Sequence, residues 1–395
     1  MVRIYEQNGE KMSAFDYSNP VKFYFGAGKF NQLGEIAAKH GQNVLLVVSD
    51  STKHTGQLER AQQALSDAGI AFAIYDRFMQ NPLSTLVEEG AALARDEHCD
   101  LVIGIGGGSA MDMAKGIAFC ACNEGSIWDY VFGKKQAQHA LPVILIPTTA
   151  GTGSEANRTA VFTNPQTHDK KGLVNPLIYP VAAIIDPELM LTLPKRVIAG
   201  PGADVLFHAL ESYISRNANP FSEMLSLQAI RLLAKNLPRV YEDVSCLDAW
   251  EKVTQASTLA GMAIDCAGTT LPHALQHPMG GLLDVVHAEG IAAVYPVFLE
   301  YTWSASPEKF AAIAQAMGVN TQGMTTEQAA QSSVTAVTDF LKGINMLPTL
   351  NELGVKEEHF DWIINNVLTT MNVVLNNNPR VPDAKTLRDL LTRSL

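Results

Sequence analysis

The chain of 395 residues is 47% apolar and 17% charged, with 29 glycines and 19 prolines, a composition that excludes a disordered, collagenous or coiled-coil protein. At this length a single hydrophobic core stops growing, so two domains are expected, each able to bury its own core without disulfide or metal staples. The 29 Lys and Arg against 40 Asp and Glu leave a net charge of −11, which opposes attraction to nucleic acid or anionic membranes and favours a small-molecule enzyme.

The first eleven residues, Met1 to Lys11, hold no long apolar stretch, and Met12 with the polar run to Pro20 reads as an alternative start. Little structure is expected there. No later segment reaches about 20 uninterrupted apolar residues, so none reads as membrane-spanning. Cys99, Cys120, Cys122, Cys246 and Cys266 lack the spacing of a disulfide framework or zinc ribbon, and a reducing cytoplasm is the expected location.

From about residue 40 to 190, apolar runs at 44–48, 71–75, 101–105 and 143–146 read as buried parallel strands. Between them, Leu58 to Ala68 and Leu83 to Glu97 show apolar residues at three- and four-residue intervals, as helices do. This β-α-β alternation predicts a doubly wound, mostly parallel, Rossmann-like α/β domain over residues 1–194. After Pro194 the strand-like runs disappear. An all-helical domain is expected over 195–395, its periods broken by Pro201, Pro220, Pro278, Pro307, Pro348 and Pro379.

Two loops could hold a ligand at the carboxyl ends of strands. Gly104-Ile105-Gly106-Gly107-Gly108-Ser109 lies between a strand and a helix, where backbone N–H groups and the positive helix end suit a pyrophosphate. It departs from the G-x-G-x-x-G fingerprint because Ser109 stands where the third glycine belongs. The best ribose-binding acid, Asp50, precedes the loop instead of following it. The second loop, Pro147 to Glu155, is rich in Thr, Ser and Gly and could face the same crevice.

The helical half carries Asp204 and His208 four apart, His273 and His277 four apart, and His287 shortly after. Each four-residue step puts two side chains on one helix face. A carboxylate and imidazoles suit a divalent ion, Fe²⁺ or Zn²⁺, with a position left open for substrate. The remaining histidines, at 40, 54, 98, 139, 168 and 359, read as surface or turn residues.

Taken together, Gly106-Gly107-Gly108-Ser109 with Asp112 and Lys115, the run Pro147 to Glu155, and Asp204/His208 with His273/His277/His287 resemble the iron-containing (group III) alcohol dehydrogenases. Phe15 to Pro20, Phe25 to Gly28 and Asn377 to Arg380 are similar to the butanol-dehydrogenase branch. The resemblance implies a metal held by Asp204, His208, His273 and His287, with His277 nearby and not ligating. It implies cofactor contacts at Asp50, Asn81, Gly107, Gly108, Ser109, Asp112, Thr148, Thr149 and Lys170. It also implies NAD or NADP as cofactor, a small primary alcohol, diol or aldehyde as substrate, and a homodimer as the assembly. Asp50 favours NAD, since a carboxylate accepts from the ribose 2′-hydroxyl and repels a 2′-phosphate; Ser51, Thr52 and Lys53 could hold that phosphate if Asp50 turned away. His277 is the candidate proton relay. Phe162, Leu271, Met279 and the stretch Gly280 to Leu283 are expected to shape substrate choice. The alternative activity is a glycerol-dehydrogenase or dehydroquinate-synthase type of metalloenzyme on the same fold.

Overall fold

The structure, a computed structural model, describes residues 14–77 and 80–395. The expectation for the first eleven residues lies outside them. Strands β1 (Lys22–Phe25), β2 (Asn43–Val48), β3 (Ala71–Tyr75), β4 (Leu101–Gly106), β5 (Val143–Pro147) and β8 (Ala182–Ile185) form one six-stranded sheet in the order β1-β8-β5-β4-β2-β3. Every pairing in it is parallel. A separate antiparallel hairpin joins β6 (Thr159–Thr163) to β7 (Lys170–Val174).

The sheet is covered on both faces, and strand alternation divides its side chains between two cores. Leu45, Val47 and Val102 pack with Val87, Met113 and Ile117 on one side. Val44, Leu46 and Val48 pack with Leu33, Ile36, Ala61 and Leu65 on the other. The helices involved are α1 (Leu33–Ala37), α2 (Asp50–His54), α3 (Gln57–Asp67), α4 (Ser84–Asp96), α5 (Gly108–Cys122) and α6 (Ile127–Val131). From β2 the chain steps outward to β3, then returns across β2 to β4. The carboxyl ends of β2 and β4 therefore flank the point where the winding reverses, which is where open α/β sheets bind ligands.

The rest of the chain is helical: α7 (Lys195–Ile214), α8 (Pro220–Glu242), α9 (Leu247–Ala267), α10 (Leu271–Leu283), α11 (His287–Thr302), α12 (Pro307–Ala316), α13 (Thr326–Gly343), α14 (Phe360–Thr369), α15 (Asn372–Asn376) and α16 (Ala384–Arg393). Its core runs from Ile198 through Phe207, Trp250 and Tyr295 to Leu391. Pro220 and Pro307 open helices, where a missing N–H costs nothing. Pro201 and Pro278 do not break theirs; both lie inside α7 and α10. The ring of Pro201 fits because its neighbour is glycine: a Cβ on Gly151 would stand 2.7 Å from the Pro201 Cβ. Burial of these helices offsets the local cost of about 3 kcal/mol.

The loop from Pro147 to Glu155 joins the halves by packing on α9. Gly153, at φ +59°, abuts Gly261 of α9 so closely that a Cβ on it would stand 2.5 Å from the Gly261 Cα. The Gly151 N–H donates to Ser257 Oγ at 2.9 Å. Within the α/β half, the β6–β7 hairpin hooks onto the segment before α4, with Thr163 N–H donating to Pro82 O at 2.8 Å. Asn81 is thereby held beside Lys170 at the start of β7.

Candidate active site

Helix α7 carries Asp204 and His208 one turn apart, α10 supplies His273 in its first turn, and His287 is the first residue of α11. The Asp204 Oδ1 lies 3.6 Å from His208 Nε2, 3.9 Å from His273 Nε2 and 3.8 Å from His287 Nε2. All four donor atoms fall within 4.8 Å of one another. Metal–nitrogen bonds of about 2.1 Å place tetrahedral neighbours about 3.4 Å apart, so the spacing fits one cation with little adjustment. Asp204 Oδ1 and His273 Nε2 are buried without a hydrogen-bond partner. Such groups cost about 1–3 kcal/mol each, a cost that a bound divalent ion removes. His287 is the donor that reaches solvent, its side chain 27% exposed against 3–6% for the others, and it marks the open side.

Two of the donors are oriented from behind. His273 Nδ1 bonds Glu211 Oε1 at 2.8 Å, and His287 Nδ1 bonds Gln276 Oε1 at 2.5 Å. Burial pushes His208 down and His287 well down from the ordinary imidazole value, so both are neutral and able to ligate. Burial acts the same way on His273, but the Glu211 carboxylate outweighs it and raises that group. His277 stands outside the four. Its ring centroid lies 6.4 Å from that of His273 and 5.9 Å from that of His287, and its Nδ1 bonds Lys170 O at 3.2 Å. A carbonyl can only accept, so Nδ1 carries the proton and Nε2 is left with a lone pair. Burial holds His277 well below its ordinary value.

The glycine loop meets the end of β2. A Cβ on Gly106, at φ +156°, would stand 3.1 Å from Ser49 Cβ, and the N-terminus of α5 begins at Gly108. Thr149 and Thr152 crowd the same loop, since Cβ atoms on Gly107 and Gly108 would lie 3.1 Å from Thr149 Oγ1 and 2.3 Å from Thr152 Cγ2. Thr148 N–H donates to Gly106 O at 2.9 Å. The two loops thus line one crevice. Asp50 projects beside it and pairs with Lys53 at 3.0 Å, while Asp76 holds the same ammonium at 2.8 Å. Ser109 Oγ donates to Gln80 O. Asp112 is turned inward, its carboxylate accepting from Ser154 Oγ at 2.7 Å and Val161 N at 2.9 Å.

Lys170 is buried and donates to Asn81 Oδ1 at 2.7 Å; Asn81 Nδ2 donates in turn to Asp284. Burial pushes the Lys170 ammonium down to about 8, with Asp204, Asp112 and Asp284 pulling it back up. The neighbouring Lys171 faces away and donates to Thr370 O at 3.1 Å. Phe162, Leu271 and Met279 are fully buried core residues and do not line this crevice. Gly280 to Leu283 are the end of α10, where Gly280 makes room for Lys170 and Gly281 for the His168 carbonyl. Glu211, Gln276 and Asp284 were not among the sequence candidates. Glu211 had a signal, being seven residues from Asp204 and three from His208 on one helix face.

A one-carboxylate, three-imidazole cluster together with a glycine-loop crevice at the winding reversal of a parallel sheet suits a metal- and dinucleotide-dependent enzyme. The profile of the iron-containing alcohol dehydrogenases matches residues 20–187, and that of the C-terminal part of the Fe-containing alcohol dehydrogenase family matches residues 198–395. A 1,3-propanediol dehydrogenase from Klebsiella pneumoniae is 37% identical over 369 residues, covering 93% of this chain and 95% of that protein. The NADH-dependent butanol dehydrogenase A of Thermotoga maritima superposes with a TM-score of 0.89 at 29% identity, over 97% of this chain and 99% of that one. Sulfoacetaldehyde reductase from Bifidobacterium kashiwanohense, solved with NAD⁺, gives 0.84 at 28% identity, over 96% and 98%. The chain belongs to the iron-containing alcohol dehydrogenase family. It is an oxidoreductase of alcohols, in a family that uses iron and NAD(H).

Proposed function

We propose that the chain interconverts a small primary alcohol or diol with its aldehyde, using NAD(H) and a divalent ion held by Asp204, His208, His273 and His287. The observation that carries this is the convergence of those four donors within 4.8 Å, two of them buried and otherwise unpartnered. When bound, the ion supplies Lewis acidity towards the alcohol oxygen and the cofactor supplies the hydride acceptor.

The chain's own residues do the rest. The α5 N-terminus at Gly107, Gly108 and Ser109 holds the pyrophosphate with backbone N–H groups, and Thr148 and Thr149 close the other wall. Asp50 accepts from the adenosine ribose 2′-hydroxyl. Lys53 sits between Asp50 and Asp76, so a 2′-phosphate would meet two carboxylates around one ammonium; this supports NAD over NADP. Lys170 and Asn81 fix the inner end of the cofactor, and Asp112 acts from behind by holding Ser154 and the β6 backbone. His277, with its free Nε2, takes the alcohol proton and passes it to solvent.

The domain boundary falls at Pro194, which caps α7. A homodimer is favoured by β1, an edge strand of the sheet with Phe25 exposed. No described helix is long and apolar enough to cross a membrane, and together with the free cysteines this supports a cytoplasmic location. The test is a panel of primary alcohols, diols and aldehydes run with NAD(H) and NADP(H) on protein loaded separately with Fe²⁺ and Zn²⁺. Net appearance of NADH with a primary alcohol or diol is expected. NAD recycled within each turnover, with no net NADH, would place the chain with the lyases instead.

A further inference from the structure

We infer that Glu211 is a positioning residue of the metal centre, fixing the face that His273 turns to the ion and supplying the second negative charge that a buried divalent cation needs. The inference rests on the four-donor reading above. Glu211 is fully buried in the last turn of α7, and both its oxygens are engaged. Oε1 accepts from His273 Nδ1 at 2.8 Å, while Oε2 accepts from the Thr270 N–H at 2.7 Å and from its hydroxyl at 3.2 Å. Thr270 is the residue from which α10 starts. One carboxylate therefore ties the positive end of α10 to α7 and sets the rotation of the first imidazole on α10, so that Nε2 faces Asp204.

The charge count separates Glu211 from an ordinary buried hydrogen-bonding group. Three neutral imidazoles and Asp204 offer a divalent ion one negative charge in a site closed to water on most sides. Among the described residues, the one ion pair Glu211 makes within 4.0 Å is with His273, so its charge is not spent on a lysine or arginine. Asp204 and Glu211 together match the charge of the ion. His287, by contrast, is backed by the neutral amide of Gln276. A carboxylate behind a ligating imidazole also makes that nitrogen a stronger donor.

The test is Glu211→Gln, which keeps the shape and hydrogen-bonding reach but removes the charge. Zn²⁺ affinity is measured by competition with a chromophoric chelator, and melting temperatures are taken on stripped and Zn²⁺-loaded protein. Zn²⁺ binding about 10–100-fold weaker is expected, with a narrowed gap between the two melting temperatures. Unchanged affinity, or two melting temperatures that fall together with the gap intact, would reduce Glu211 to a structural role and overturn the proposal. Should the variant not fold, ¹⁵N-histidine NMR of the Zn²⁺-loaded native protein decides. His273 is expected to carry its proton on Nδ1, strongly downfield beside a carboxylate; an unprotonated Nδ1 overturns the proposal. His273→Ala tests the underlying site separately. If it binds Zn²⁺ as well as the native protein, the four-donor centre itself is wrong. If it loses Zn²⁺ while Glu211→Gln does not, only the role of Glu211 is lost.

Discussion

Lys170 Nζ donates to Asn81 Oδ1 at 2.7 Å across 89 positions of sequence, and neither side chain is open to solvent. The bond orients the amide so that its Nδ2 points to Asp284 at the end of α10. One asparagine thus links the segment before α4, the hairpin strand β7 and the helix of His273. Asn81→Ala would leave a buried ammonium short of an acceptor, and a stability loss of about 1–3 kcal/mol in urea unfolding is expected. A rise in KM for NAD of tenfold or more with a smaller change in kcat should accompany it. An unchanged KM would detach this link from the cofactor.

Asp50→Gly should shift cofactor preference towards NADP by tenfold or more in kcat/KM ratio, because it removes one of the two carboxylates on Lys53 and frees that ammonium for a 2′-phosphate. Initial rates with both cofactors at several concentrations provide the check. A ratio that does not move would mean that the adenosine ribose lies elsewhere.

His277→Ala removes the group with a free Nε2 near the metal ligands while leaving all four donors in place. A general acid or base contributes about 10²–10⁴-fold, so a fall in kcat within that range is expected, with the pH profile altered and metal content retained. Full rate with an unchanged profile would leave His277 as a brace for Lys170 and nothing more.

Lys115 gives a stability prediction with a definite sign. It is fully buried, its ammonium donating to Ser154 Oγ, Asn157 Oδ1 and Thr159 O. Burial pushes it down to about 8 from the ordinary 10.5. Between those values the unfolded chain keeps a proton that the native chain sheds, so this group's contribution to stability rises with pH across about 8 to 10.5 and is flat below. Chemical unfolding of the native protein and of Lys115→Met over pH 7–10.5 should show the native protein gaining on the variant only above about 8. Parallel curves would refute the shift.

Much of this architecture was readable before any coordinates. The strands at 44–48, 71–75, 101–105 and 143–146 differ from the observed β2, β3, β4 and β5 by at most a residue at each end, since a parallel strand buried on both faces is a continuous apolar run. Spacings of four brought out Asp204 with His208 and His273 with His277, since each pair shares a helix face; the family resemblance, not spacing, set His273 and His287 apart from His277 as donors. The strand β1 was not identified, being only four residues long with Lys22 and Phe25 at its ends. The hairpin β6–β7 was missed because Lys170 and Lys171 interrupt any strand-like alternation. That Lys170 is buried and Lys171 is not depends on contacts with Asn81 and Thr370 that are distant in sequence. Phe162 was misassigned to substrate choice because core and pocket draw on the same apolar residues; its ring packs on Gly116, where a Cβ would stand 2.6 Å away.

The claim on which the chemistry depends is that Asp204, His208, His273 and His287 hold one divalent ion. Metal analysis of the purified native protein alongside Asp204→Ala measures this most directly, with NADH formation from a primary alcohol followed on the same samples. About one equivalent of iron or zinc per native chain is predicted, lost together with activity in the variant. An Asp204→Ala protein that kept its full equivalent of metal and its rate would contradict the account.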